Sequence, residues 1–265
     1  MNNYLAKILA EKKKEVGRLL QSMEDPSHPF HAIRENKRAH LYRFSRALRG
    51  KNLAIIAEIK RASPSKGLLH KIPDPKKLAE RYQNSGVAAI SVLTDSYGFQ
   101  GSLEDLKAVS QQLKAPTLRK DFIIHPVQLL EAVHAGASAV LLIASLLKKE
   151  LPYFLQQAKD LGLETLTEVH SQEELDLALE ASSPIIGVNH RNLTTFCIDQ
   201  DLSKKLKSYI PSSVISVAES GINTKERAAK LRDLGYDAIL VGEALVLSEN
   251  PEKLIQEMQG GAYVR

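Results

Sequence analysis

The stretch Ile55-Ile-Ala-Glu-Ile-Lys-Arg-Ala-Ser-Pro-Ser-Lys-Gly67 puts charge at the end of a run that otherwise reads as buried. In an extended chain successive side chains alternate faces, so Ile55, Ala57 and Ile59 share one face and Ile56, Glu58 and Lys60 the other. The first face is apolar throughout; the second ends in an acid and a base. A Glu–Lys pair alone would suit the solvated side of an edge strand. Here it follows an apolar run, is closed by a Ser/Pro/Gly loop and precedes a helical stretch. That order suits the first strand of a parallel barrel, whose outward face packs on helices and whose inward face meets substrate at the carboxyl end.

From Leu53 onward one unit recurs: a short apolar or β-branched run, a polar loop, a helix, and often a glycine before the next run. The runs predict strands over 53–60, 87–94, 116–122, 138–144, 164–169, 184–190, 214–219 and 238–242. Helices are expected at about 74–85, 102–113, 126–135, 148–161, 171–181, 201–209, 224–234 and 251–259. Start signals stand at Asp74-Pro75, Ser102 with Asp105, His125-Pro126, and Ser171 with Glu174. Ser85-Gly86, Ala135-Gly136, Leu161-Gly162 and Leu234-Gly235 mark helix ends that need a left-handed residue. Eight strand–helix units joined by right-handed crossovers close a (β/α)8 TIM barrel. An open doubly wound sheet is the alternative, but no Gly-x-Gly-x-x-Gly follows the first strand, so a dinucleotide site has no support.

Ahead of the barrel, Tyr4/Leu5, Ile8/Leu9, Val16 and Leu19/Leu20 recur at helical spacing over 3–22, with Lys12 to Lys14 on the polar side. Asp25-Pro-Ser-His-Pro29 breaks this helix, and a second helical stretch runs from about His40 to Arg49 before Gly50. The expected organisation is a helical extension over 1–50, serving as a lid or as a cover for the barrel bottom, and a catalytic barrel over 51–265, within a single domain.

The formal net charge of +5 is local. Residues 1–50 hold 11 Lys/Arg against 5 Asp/Glu, and the rest of the chain is nearly balanced. No RNA-binding signature with interleaved aromatics accompanies it, so the excess is assigned to a solvated helix face rather than to nucleic acid. Cys197 is the single cysteine, which excludes an intrachain disulfide, points to a reducing compartment and is expected as a small buried hydrophobe. The longest apolar run, Ala137 to Leu147, is too short for a bilayer, and no signal-peptide pattern opens the chain. A cytoplasmic, monomeric protein with neither membrane nor nucleic-acid partner is expected. The eight histidines show no metal-ligand spacing, so no metal is expected.

In such a barrel, functional groups belong at the carboxyl ends of several strands. Glu58 and Lys60 end the first, Lys120 the third, Glu168 the fifth, Asn189 and Arg191 the sixth, and Glu219-Ser220-Gly221 the seventh. One solvated loop charge is ordinary; five strands ending this way are not. Three glutamates and two lysines in one mouth titrate together and can both give and take protons, as a multi-step carbon-skeleton rearrangement requires. Ser220-Gly-Ile-Asn223, read as the opening of the seventh helix, and Val241-Gly-Glu-Ala-Leu245 follow the last two strands. Gly221 and Gly242 let backbone N–H groups approach an anion where this fold binds phosphate, and Ser63 can reach across from the first loop. A phosphorylated substrate is expected.

Ile56-Ala-Glu-Ile-Lys-Arg-Ala-Ser-Pro-Ser-Lys-Gly67 resembles the signature segment of the indole-3-glycerol-phosphate synthase family. The resemblance continues through Thr94-Asp95, Gly101-Ser102, Arg119-Lys-Asp-Phe122, Gly187-Val-Asn-His-Arg-Asn-Leu193, Ala218-Glu-Ser-Gly-Ile222 and Leu240-Val-Gly-Glu-Ala244. It implies conversion of 1-(2-carboxyphenylamino)-1-deoxyribulose 5-phosphate to indole-3-glycerol phosphate, with loss of CO2 and water, in tryptophan biosynthesis. It implies Lys120 as the acid at the ribulose carbonyl, Lys60 on the substrate carboxylate and in dehydration, Glu168 as base or proton shuttle, and Glu58 as the partner orienting the lysines. Asn189, Arg191, Glu219 and Ser220 would line the substrate and Phe122 pack on its ring; Phe99, Leu193, Ile222 and Glu243 belong to the same motifs. Rearomatisation drives decarboxylation, so no cofactor is implied. Where the family has two adjacent aromatics this chain has Gly98-Phe99, and a more flexible loop is expected there. An aldolase forming a Schiff base at Lys120 on a sugar phosphate is the alternative. The related phosphoribosylanthranilate isomerase activity lacks the Glu58–Lys60 segment.

Overall fold

The computed structural model describes residues 4–33, 42–50 and 52–260. Its strands are β1 Ala54–Ile59, the short pair β2 Ala62–Ser63 and β3 Gly67–Leu68, then β4 Ala89–Leu93, β5 Thr117–Lys120, β6 Ala139–Ile143, β7 Glu164–Val169, β8 Ile185–Asn189, β9 Ile215–Glu219 and β10 Ala238–Val241. The eight long strands pair in parallel in the closed order β1-β10-β9-β8-β7-β6-β5-β4, the TIM barrel expected from the repeating unit. Every strand expected from the sequence is present, one or two residues shorter at most ends. The antiparallel β2–β3 hairpin was not anticipated.

Helices α1 Tyr4–Ser22, α2 Phe30–Ile33 and α3 Arg43–Leu48 precede the barrel; residues 40 and 41 of the expected second helix lie outside the described residues. Around the barrel run α4 Pro75–Asn84, α5 Ser96–Phe99, α6 Leu103–Gln112, α7 Val127–His134, α8 Ala144–Leu147, α9 Leu151–Asp160, α10 Gln172–Glu180, α11 Leu202–Lys207, α12 Lys225–Asp233, α13 Glu243–Leu247 and α14 Pro251–Met258. The expected caps form: the side chains of Asp74, Ser102 and Ser171 accept backbone N–H groups of α4, α6 and α10, each worth about 1 kcal/mol. Gly86, Gly136, Gly162 and Gly235 end their helices at positive φ. The seventh helix of the repeat differs. It starts at Lys225 with Thr224 as cap, because Ser220 and Gly221 both take left-handed φ, 67° and 69°, and turn the chain before a helix can begin.

Side-chain alternation builds two cores. Ile55, Ala57 and Ile59 join the layer between strands and outer helices, whereas Ile56, Leu118, Leu141, Leu166 and Val217 fill the barrel interior. The helices ahead of the barrel serve both ends of it. Phe44 and Leu48 of α3 pack fully buried beneath the interior core, and Glu164 at the start of β7 accepts the Phe44 and Ser45 N–H groups at 2.6 and 3.0 Å. α1 lies at the opposite rim: Leu5 and Ile8 face the interior, while Val16 and Leu19 pack with Phe30, Val127 and Leu130.

Two expectations fail here. Lys12 is not on a solvated face but 1% exposed, with its ammonium 2.9 Å from Asp121, 3.2 Å from Asp95 and 2.8 Å from Glu15. Buried acids at the ends of two strands demand a cation, and helical spacing carries no record of partners so distant in sequence. Arg43 and Arg49 likewise donate to the carbonyls of Lys114 and Ser213, so part of the local positive charge is structural. Cys197 is exposed rather than buried, because it sits in the loop after β8, where no core reaches it. Among the described residues no helix is long and apolar enough to cross a membrane.

Candidate active site

A cavity of about 660 Å³ opens at the carboxyl ends of the strands, and all sixteen candidate residues line it: Glu58, Lys60, Ser63, Phe99, Lys120, Phe122, Glu168, Asn189, Arg191, Leu193, Glu219, Ser220, Gly221, Ile222, Gly242 and Glu243. The strand-end alternation puts them there. Register pairs Asn189 with Glu219 across β8 and β9 and Glu168 with Gly187 across β7 and β8.

Charge is concentrated on the barrel axis. Lys60 Nζ lies 3.0 Å from Glu58 Oε1. Lys120 Nζ donates to Glu168 Oε2 at 3.1 Å and stands 3.4 Å from Glu219 Oε2. Burial disfavours the Lys120 charge, but Glu168, Glu219 and Glu58 outweigh it and hold the ammonium well above the usual lysine range. Burial also opposes ionisation of Glu168, yet Lys120 and His170 press its carboxyl well below the ordinary range. Glu219 goes the other way: burial, reinforced by Glu168 and Glu58 against the pull of Lys120, pushes it up to about 8. One lysine therefore faces an ionised and a protonatable carboxyl.

Room for two of these acids comes from glycines. A side chain at Gly187 would overlap the Glu219 carboxylate, and one at Gly242 would overlap that of Glu58. Gly242, expected from the sequence to approach an anion, thus seats a carboxylate. Ser63 Oγ is buried without a protein partner, and Ser63, Gly221 and Gly242 line the same cavity. Arg191 reaches from the loop after β8 to Ser65 Oγ at 3.4 Å, and Lys66 pairs with Glu243, so the β2–β3 hairpin is tied down on two sides. His190 bonds the Ser220 carbonyl at 2.7 Å and Ser203 behind it; burial lowers its pKa, and the neutral ring holds the left-handed Ser220 turn in place.

Several lining residues were not assigned to the site from the sequence. Leu5 and Ile8 of α1, with Leu141, Ile143 and Leu240 of the barrel interior, form the apolar wall. Phe99 and Phe122 face each other with ring centroids 6.2 Å apart. Gly98 is packed into this wall. It is buried, its N–H is held by Asp95 at 2.6 Å, and a Cβ there would press on Ile8 Cδ1 at 3.1 Å. Glycine here admits α1 to the site.

The chain matches the family model described as indole-3-glycerol phosphate synthase over residues 5–258. The chain belongs to the indole-3-glycerol phosphate synthase family. A relative of that name from Chlorobium phaeovibrioides is 42% identical over 254 residues, 95% of this chain and 97% of its own. Another, from Campylobacter jejuni subsp. jejuni, is 46% identical over 209 residues, 78% of this chain and 81% of its own. Among solved structures the fold is similar to thiamine phosphate pyrophosphorylase from Pyrococcus furiosus, with a TM-score of 0.61 at 20% identity over 80% of this chain and 96% of that one. It is equally similar to N-acetylmannosamine-6-phosphate 2-epimerase from Clostridium perfringens, with a TM-score of 0.61 at 16% identity over 82% and 96%. An indole-3-glycerol phosphate synthase closes a five-membered ring with loss of CO2 and water, and a lyase of this kind needs proton donors and acceptors around a flexible anionic substrate.

Proposed function

We propose that the cavity folds 1-(2-carboxyphenylamino)-1-deoxyribulose 5-phosphate over Lys120 and carries it to indole-3-glycerol phosphate. The phosphate sits against Ser63, Gly221 and Gly242, with Arg191 beside it, and the aminobenzoate ring packs on Phe122 and the Leu5–Ile8 wall. The ring carbon bearing the carboxylate attacks the ketone carbon, and the ketone oxygen takes a proton from Lys120. Loss of CO2 restores aromaticity. The new hydroxyl then leaves as water, with Lys60 assisting departure and Glu168 accepting the proton released as the double bond forms. Glu58 holds Lys60 in place, and Asn189, Glu219 and Ser220 line the sugar chain. Holding both ends of a flexible substrate supplies much of the rate, because ring closure needs the two carbons in contact.

The single observation that carries this reading is Lys120 between Glu168 and Glu219. An ammonium held charged at the axis always carries its protons and stabilises the negative charge that develops on the ketone oxygen. It does not suit Schiff-base chemistry, which needs a free amine.

The test is incubation of the purified protein with the carboxyphenylamino sugar phosphate, following the rise of indole fluorescence and the release of one CO2 per turnover. Product is expected without added cofactor. A stable borohydride-trapped adduct on Lys120 with a keto-sugar phosphate, and no indole product, would transfer the site to the aldolase class.

A further inference from the structure

Glu168 is approached by cations from two sides, and only one of them belongs to the scheme above. Lys120 donates to its Oε2 at 3.1 Å. On the other side His170 Nε2 stands 3.3 Å from its Oε1, an ion-pair distance outside hydrogen-bond alignment. Behind the ring, His170 Nδ1 is 3.1 Å from Glu174 Oε2, and that same oxygen accepts the His170 backbone N–H at 2.8 Å. Ser171 caps α10 in the usual way. Glu174, the acid of a capping box, reaches one residue further back and takes hold of the histidine.

Both ring nitrogens thus face carboxylate oxygens, which only accept. A neutral imidazole has one N–H and would set its lone pair against one of the acids, so the geometry calls for the doubly protonated ring. The groups facing it are Glu168 from β7 and Glu174 from α10. Around Glu168 stand Lys120 from β5, Asn189 from β8 and Glu219 from β9, with Glu58 of β1 beyond. Burial disfavours the imidazolium, but Glu168 and Glu174 together raise its pKa from 6.5 to about 10.

We propose that His170, seated by Glu174, is a positioning residue for Glu168, fixing the direction in which the carboxylate presents its basic oxygen to the substrate. His170 Nε2 beside Oε1 and Lys120 donating to Oε2 hold the carboxylate from both sides, which fixes the orientation in which it meets the proton of the dehydration step. The file Glu168–His170–Glu174 runs from the cavity to the first turn of α10, a rigid element, so the base is oriented from outside the pocket. This inference rests on Glu168 acting as the base.

The experiment compares Glu168→Gln, His170→Ala, His170→Gln and Glu174→Gln in the whole chain, with kcat, KM and pH profiles on the carboxyphenylamino substrate and circular dichroism of each variant. Glu168→Gln checks the base itself: if it stays active, the underlying reading falls, whatever the histidine does. With Glu168→Gln inactive, His170→Ala is expected to lose about 10²-fold in kcat, the scale of a small misplacement of a reacting group, at nearly constant KM. His170→Gln, which keeps a donor without the charge, should recover part of the loss. Removing the cation lets the Glu168 pKa rise toward its ordinary 4.5, so the acid limb of kcat/KM moves to higher pH. Glu174→Gln keeps an acceptor for the His170 N–H and the cap, and is expected to bring the second alkaline limb, set by His170 near 10 and lying above that of Glu219 near 8, to lower pH. A folded His170→Ala with wild-type kcat and pH profile overturns the proposal. If that variant does not fold, an unchanged profile and kcat in Glu174→Gln overturns it equally.

Discussion

Lys120 and Glu219 lie 3.4 Å apart and ionise in opposite senses. Lys120→Met removes the charge proposed to act at the ketone oxygen and is expected to lower turnover by several orders of magnitude with an unchanged circular dichroism spectrum. Retention of more than about a tenth of the activity, under ~1.4 kcal/mol of transition-state stabilisation, would reassign the acid. Glu219 is protonated below about 8, so kcat/KM should fall as pH rises through that value. Glu219→Gln, neutral at every pH, should flatten this alkaline limb; a limb that persists unchanged belongs to another group. Two substitutions at the proposed phosphate end also part company. Ser63→Ala removes a hydroxyl with no protein partner and should mainly raise KM. From the sequence Gly242→Ala is expected to behave alike, but its Cβ would displace the Glu58 carboxylate. A fall in kcat as well as a rise in KM is therefore expected, read from initial rates over a range of substrate concentrations.

At the scale of elements, α1 ranks with the barrel strands as a builder of the site. Burial opposes the Lys12 charge, but Asp121 and Asp95 hold it well above the usual lysine range. Asp95 caps α5, which carries Phe99, and Asp121 accepts the Phe122 N–H at 2.8 Å and follows Lys120 directly. Lys12→Met leaves both acids short of a partner, a loss of about 3 kcal/mol for a broken buried pair. Chemical denaturation should register it, together with a raised KM as the Leu5–Ile8 wall loosens. A stable variant with unaltered KM would reduce α1 to a passive cover. The strand-end motifs were legible because alternation is local: knowing that β1 and β5 are strands is enough to aim Lys60 and Lys120 at the axis. Lys12, Ile8 and His170 were not, since their meaning lies in partners up to about a hundred residues away, or in a capping acid that reaches past its expected target. Gly98 was visible as a departure, but its packing against α1 depended on where that helix docked.

For the whole molecule, buried ionisable groups give stability a directional pH dependence. Asp121 is depressed from 3.8 to about 2, so its contribution is complete above 3.8 and is lost as pH falls through 2. Glu219 is raised from 4.5 to about 8 and His170 from 6.5 to about 10. Their contributions are complete below 4.5 and 6.5 and are lost as pH rises through 8 and 10. Tm should therefore be highest in mildly acidic buffer and decline from neutrality to pH 10. Glu219→Gln should flatten the slope between 4.5 and 8, and His170→Gln that between 6.5 and 10. A profile that rises with pH across this range contradicts both assignments. The barrel itself was the most legible feature, because eight repeats of one periodic unit leave few ways to close; the β2–β3 hairpin and the left-handed Ser220 turn, set by tertiary contacts, were not.

The docking of Leu5 and Ile8 at the cavity mouth also bears on how the protein is handled. Leu5, near the start of α1, lines the cavity, so a peptide fused to the amino end is expected to begin close to it. An affinity handle placed there competes for space with incoming ligand, whereas one attached behind α14 leaves from the outer ring of helices. Matched preparations carrying the handle at one end or the other should differ in apparent substrate affinity while sharing the same melting behaviour.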